Sequence, residues 1–89
     1  MKTREEMMVI LGKLFPITGT TEDFDGSEGG IWICGECGYC DKKGIPYFDY
    51  YDLGGLYSFG VLDSLWDLAD KHGWYFEWYD PGTIMVYPY

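Results

Sequence analysis

Three cysteines within seven residues, Cys34-Gly35-Glu36-Cys37-Gly38-Tyr39-Cys40, are the densest chemistry in the chain. Two residues between thiols let both sulfurs reach one ion from a tight turn. Glycine after each of the first two relaxes the backbone there, which is how a zinc knuckle is built. A closed tetrahedral site needs a fourth ligand, which Asp41, His72 or a second copy of the chain would supply. An iron–sulfur cluster would need a fourth cysteine, and the chain has none. A redox-active CxxC sits at a helix N-terminus, where the dipole lowers the thiol pKa, and the residues after Cys37 do not read as helix. The expectation is therefore no resident cofactor, with a zinc-stabilised domain on Cys34, Cys37 and Cys40 as the alternative.

The second candidate set is acidic and aromatic. Fifteen acids face six bases, for a formal charge of −9. From Gly44 onward Lys71 is the only base. Phosphate contacts need clustered Lys and Arg, so direct nucleic-acid binding is not expected, and anionic membranes are disfavoured for the same reason. A protein partner with a basic surface, or a cation, suits this field. Nine tyrosines concentrate in the strand regions, and tyrosine combines a large ring with a hydroxyl that tolerates water, as interfaces require. The expected partner-binding residues are Tyr75, Tyr79 and Tyr87 on a sheet, with Asp63, Asp67 and Asp70 on a helix. An acidic surface can also occupy the site of a nucleic-acid-binding protein, as compact acidic proteins of phages and mobile elements do. That analogy rests on charge and size.

Catalytic arrangements are not evident. Asp63, Asp67 and Asp70 share the polar, solvated face of one helix, which does not set apart an acid and a base as carboxylate-pair hydrolysis requires. His72 is the only histidine, and no nucleophile or orienting acid is placed beside it. Asp23-Phe24-Asp25-Gly26-Ser27 resembles the opening of a calcium loop. The match fails at Glu28, where a glycine belongs, and at Cys34, where a bidentate glutamate belongs. A non-enzymatic protein is expected.

The elements that must position these residues are most legible at the C-terminal end. Val61, Leu62, Leu65, Trp66, Leu68 and Ala69 share one arc of a helical wheel, and Asp63, Ser64, Asp67, Asp70 and Lys71 the other. That pattern predicts an amphipathic helix with Ser58 as N-cap and Gly73 just past its end. Trp74, Phe76 and Trp78 then alternate with Tyr75, Glu77 and Tyr79, as in a strand with one buried face. Asp80-Pro81-Gly82 makes a turn into Thr83–Tyr87. Pairing Tyr79 with Thr83 sets Trp78 opposite Ile84 and Phe76 opposite Val86, all on one face.

Upstream, Thr3-Arg4-Glu5-Glu6 is a capping box opening a helix from about Arg4 to Phe15. Residues 17–30 read as acidic loop, with a short strand around Thr21 to Phe24. Ile31-Trp32-Ile33 begins a strand that runs into the cysteines, and Asp41-Lys42-Lys43-Gly44 turns it toward a second strand, Tyr47 to Asp52. Leu53-Gly54-Gly55 links that hairpin to the second helix.

The sum is one α+β domain over residues 1–89, in the order α-β-β-α-β-β, with about four antiparallel strands and both helices on one face. Ile10, Leu11, Leu14, Leu62, Leu65, Trp66, Trp74, Phe76, Trp78, Ile84 and Val86 are the expected core. Eighteen aromatic residues enlarge what 89 residues can bury, and a homodimer or a metal would add to it. The apolar run Met7–Leu11 is too short for a signal peptide, and no stretch reaches the length of a membrane span. An odd number of clustered cysteines points to a reducing cytoplasm rather than a disulfide framework. The expected function is a small cytoplasmic protein-interaction module.

Overall fold

The structure, a computed structural model, describes residues 1–51 and 55–89. The end of the expected second strand at Asp52, and Leu53-Gly54 of the link, lie outside the described residues. Helix α1 spans Arg4–Gly12, and its capping box is closed in both directions. The Thr3 hydroxyl accepts from the Glu6 N–H at 3.2 Å, and the Glu6 carboxylate accepts from the Thr3 N–H at 3.0 Å. Strand β1 (Gly19–Thr20) and a one-turn helix α2 (Thr21–Phe24) follow, then β2 (Ile31–Cys34). The short pair β3 (Tyr57–Ser58) and β4 (Val61–Leu62) leads into helix α3 (Asp63–Lys71), and the hairpin β5 (Trp74–Asp80) and β6 (Thr83–Pro88) ends the chain.

The main sheet is antiparallel in the order β1-β2-β6-β5. Ile31 and Ile33 of β2 lie opposite Val86 and Ile84, which in turn face Phe76 and Trp78 of β5. Strand alternation puts these apolar residues on one face, the front. There they meet Met7 and Leu11 of α1 and Leu65 and Ala69 of α3 in a single buried cluster. Both long helices thus cover the front face, and the α+β class expected from the pattern is the class observed. Phe15, Tyr47 and Phe48 extend the cluster, with Phe48 edge-on to Phe76 at 6.1 Å. Trp66 and Trp78 are only half-buried and Leu14 is exposed, while Met7, Ile31 and Ile33 are fully buried.

Several local expectations change. The segment Thr21–Phe24 is helical rather than a strand. Thr21 carries the reason: its hydroxyl donates to the Ser27 carbonyl and accepts the Gly30 N–H, each at 2.9 Å. Closing that loop onto itself favours one compact turn over an extended run. The hairpin between the 31–40 and 47–52 segments contracts to rungs around its turn. The Tyr47 N–H donates to Tyr39 and the Asp41 N–H to Ile45, while β2 leaves to pair with β6. Tyr47 to Asp49 instead run beside β4, with the Leu62 N–H donating to Tyr47 and the Asp49 N–H to Gly60.

Helix α3 starts after Leu62, so Ser58 is not its cap; the Ser58 hydroxyl donates to the Asp63 carboxylate at 2.7 Å. Gly73 does end the helix, at φ +81°. In the β5–β6 hairpin Trp78 pairs with Ile84 as expected, but Asp80 rather than Tyr79 pairs with Thr83. Pro81 locks φ negative, so the two-residue loop cannot take the geometry that matches strand twist, and Tyr79 is extruded as a bulge.

The β3–β4 connection is a two-residue turn at Phe59-Gly60, with φ of 50° and 73°. Positive φ at both central positions is the type I′ geometry, which favours Asn or Gly and penalises phenylalanine. Gly60 admits no side chain, because a Cβ there would lie 2.9 Å from the Asp49 carbonyl oxygen.

Candidate functional site

The cysteine segment leaves β2 as a tight turn against the β5–β6 loop, with the Gly35 N–H donating to Gly82 at 2.9 Å. Gly35 must be glycine here, since a Cβ would sit 2.6 Å from the Trp78 ring. Cys34 and Cys37 are joined in a disulfide, against the reduced thiols expected from their odd number, and Cys40 is an exposed free thiol that donates to the Gly38 carbonyl. Both bonded sulfurs would have to be reduced before either could ligate a metal. The proposed fourth ligands are placed elsewhere. The Asp41 carboxylate accepts the N–H groups of Lys43 and Ile45 at 2.9 Å, holding the Asp41–Gly44 turn. His72 precedes β5, whose first residue pairs with Pro88, whereas Cys34 pairs with Thr83 at the far end of the sheet. That separation is roughly 20 Å along the strand. Among the described residues, no group of three or more His, Cys, Asp or Glu is arranged to hold a metal. The carboxylates of the 22–25 segment are also engaged. Asp25 accepts from the Ser27 N–H, and Glu22 accepts from the Gly29 N–H and Arg4.

The back face of the sheet gathers Tyr75, Tyr79, Tyr87 and Tyr89. Tyr75 lies opposite Tyr87 with ring centroids 6.1 Å apart, and Tyr89 extends the row at 5.3 Å from Tyr75. Toward the other end, Phe24 of α2 packs on Trp32 of β2 at 4.8 Å and on Tyr79 of the β5 bulge at 4.9 Å. These rings bridge over the strand between them, where Met85 is only 2% exposed although it faces away from the main core. Glycines make the close approach possible. A Cβ on Gly30 would stand 2.5 Å from the Tyr87 ring, and one on Gly19 would stand 3.0 Å from the Trp32 indole nitrogen. The rings stay accessible, with Tyr79 54% and Tyr89 68% exposed.

Glu77 is on this face opposite Met85, and β1, β2, β5 and β6 contribute no Lys or Arg to it. Arg4, whose guanidinium also donates to the Gly30 carbonyl at 3.3 Å, is held at 2.6 Å by Glu22.

The expected partner-binding residues are therefore only partly brought together. Tyr75, Tyr79 and Tyr87 share the back face. Asp70 joins them at the β5 edge, where the Tyr89 hydroxyl donates to its carboxylate at 2.7 Å. That hydrogen bond to a carboxylate, followed by partial burial, pushes the Tyr89 phenol above its ordinary value. Asp63 and Asp67 are exposed on α3, which covers the opposite face. Phe24, Trp32 and Tyr89 belong to the surface but were not among the expected residues. Trp32 was legible, since it alternates with two buried isoleucines and must face the other way. Phe24 was not, because its placement depends on α2.

Comparison of the chain with protein-family models, with curated proteins and with solved structures gives no match.

Proposed function

We propose that the chain is a small, non-enzymatic protein-interaction module whose back face docks a partner with a basic surface. One observation supports this above the rest: two clusters of aromatic rings, Tyr75-Tyr87-Tyr89 and Phe24-Trp32-Tyr79, share a face with Glu77 and with no strand-borne base. Tyrosine and tryptophan rings give contact area at little entropic cost, and the surrounding negative field steers a cationic partner onto them. Asp63, Asp67 and Asp70 add to the steering from the helix side.

The test is chemical-shift mapping with a lysine- and arginine-rich peptide that also carries aromatic residues, alongside an acidic peptide of the same length. The expected outcome is saturable shifts concentrated on Tyr75, Glu77, Tyr79 and Tyr87. Asn at positions 63, 67 and 70 should weaken binding several-fold, chiefly through the association rate. Shifts spread evenly over every exposed acid would mean mere polycation attraction and would remove the proposal.

A further inference from the structure

A second surface lies on the other side of β5. A groove of about 340 Å³ is lined by Phe59, Val61, Trp66, Phe76, Glu77 and Trp78. At its rim the β3–β4 turn carries Phe59, 88% exposed and on a backbone at φ 50° that disfavours a bulky residue. Strain of this kind persists where the surrounding structure fixes it, and here two indoles do so. The Trp66 N–H donates to the Ser58 carbonyl at 2.7 Å, and the Trp78 N–H donates to the Phe59 carbonyl at 2.6 Å. Trp66 stands edge-on to Phe76 at 5.5 Å. Both indole donors are thereby spent on the turn, so the tryptophans offer an incoming group their π-systems and no hydrogen bonds.

Charge selects among groups that such a groove could take. The elements that bound it, α3 and β5, carry Asp63, Asp67, Asp70, Glu77 and Asp80 against Lys71. An aromatic groove in a negative field favours a cation with a thin hydration shell. Guanidinium is planar, delocalised and more weakly hydrated than ammonium, and it stacks on aromatic rings. We propose that this groove binds an arginine side chain presented by a basic protein segment, seated against the rings of Phe59, Trp66 and Trp78. The inference shares with the back-face reading the sign of the partner's charge and Glu77, which borders both surfaces.

The test uses the intact chain and four short peptides with glycine and serine flanks. They differ at one central position: arginine, lysine, citrulline or norleucine. The indole N–H resonances of Trp66 and Trp78 report on the groove, and the amides of Tyr75, Tyr79 and Tyr87 report on the back face. The arginine peptide should shift both indoles saturably, and the citrulline and norleucine peptides should bind roughly fivefold or more weakly. Phe59→Asn, which keeps a residue suited to the turn, should weaken the arginine peptide by a similar factor and leave the Trp32 and Trp74 indoles in place. Equal binding of norleucine would make the groove merely apolar, and equal binding of lysine would overturn the guanidinium assignment. Shifts on the tyrosines with Trp66 and Trp78 silent would overturn the groove while leaving the back-face reading intact. Shifts on Trp66 and Trp78 with the tyrosines silent would support the groove and leave the back face to the aromatic, basic peptide that tests it.

Discussion

Phe59 shows most directly how one residue can oppose the fold around it. It sits at the first central position of a type I′ turn, with an exposed ring that gains little from burial. Left-handed backbone costs an ordinary L-residue about 1–2 kcal/mol, and asparagine before glycine is the preferred sequence for this turn. Phe59→Asn is therefore expected to stabilise the chain by about 1 kcal/mol while weakening occupancy of the groove. Urea unfolding followed by circular dichroism checks the first half, and a midpoint unchanged or lowered would show that the ring contributes to the fold. The sequence hid this position because Gly60 and Val61 read as the first turn of the following helix. A two-residue turn becomes visible only when the segments beside it are known to pair. Trp32, by contrast, was legible from its neighbours, because Ile31 and Ile33 can be buried together only if the residue between them faces outward.

Elements formed from adjacent sequence were the legible ones. The capping box of α1, the amphipathic α3 with its glycine stop, and the β5–β6 hairpin all depend on contacts a few residues apart. Strand β2 pairs instead with β6, so Ile31 meets Val86 across more than half the chain, and no local pattern distinguishes that partner from a nearer strand. The disulfide turn and the 47–49 segment follow from the same choice, since β2 must leave its sequence neighbour to reach β6. Helix α2 was likewise illegible, because it is held by tertiary ties rather than propensity. One tie is Glu22, which accepts the Gly29 N–H at 2.9 Å and the Arg4 guanidinium at 2.6 Å. The first of these bonds, with Arg4 contributing less, holds its carboxyl below the ordinary value of 4.5. A carboxyl with a depressed folded-state pKa stabilises the fold fully above its unfolded value, and the benefit is lost as pH falls through the folded value. Glu22→Gln should therefore be less stable than the parent at pH 7, with the gap closing as pH drops below 4.5. Urea midpoints at pH 7 and pH 3 would measure this, and a gap that stays constant would mean the carboxylate charge plays no part.

At the scale of the whole molecule, charge and size set the response to salt. The net charge is −9, and the chain extends 31 × 24 × 21 Å. The screening length is about 30 Å at 0.01 M salt and about 10 Å at 0.1 M. At the lower concentration nearly every carboxylate acts on every other, while at the higher one only neighbours do. Self-repulsion destabilises a compact state of large net charge. The ion pairs among the described residues that salt would weaken, Lys2–Glu6 at 3.9 Å and Arg4–Glu22, are on the surface, where such pairs contribute little. Repulsion should win, so stability is expected to rise between 0.01 and 0.1 M salt and to flatten beyond. Binding of a basic partner should move the other way over the same range, because the field that steers it is the field being screened. Measuring urea midpoints and partner dissociation constants in one salt series separates these effects. If both quantities fell together, the negative surface would be acting through specific pairs rather than through its summed field. If stability rose while affinity held constant, docking would rest on the aromatic rings alone, and the excess of acids would serve the unbound chain.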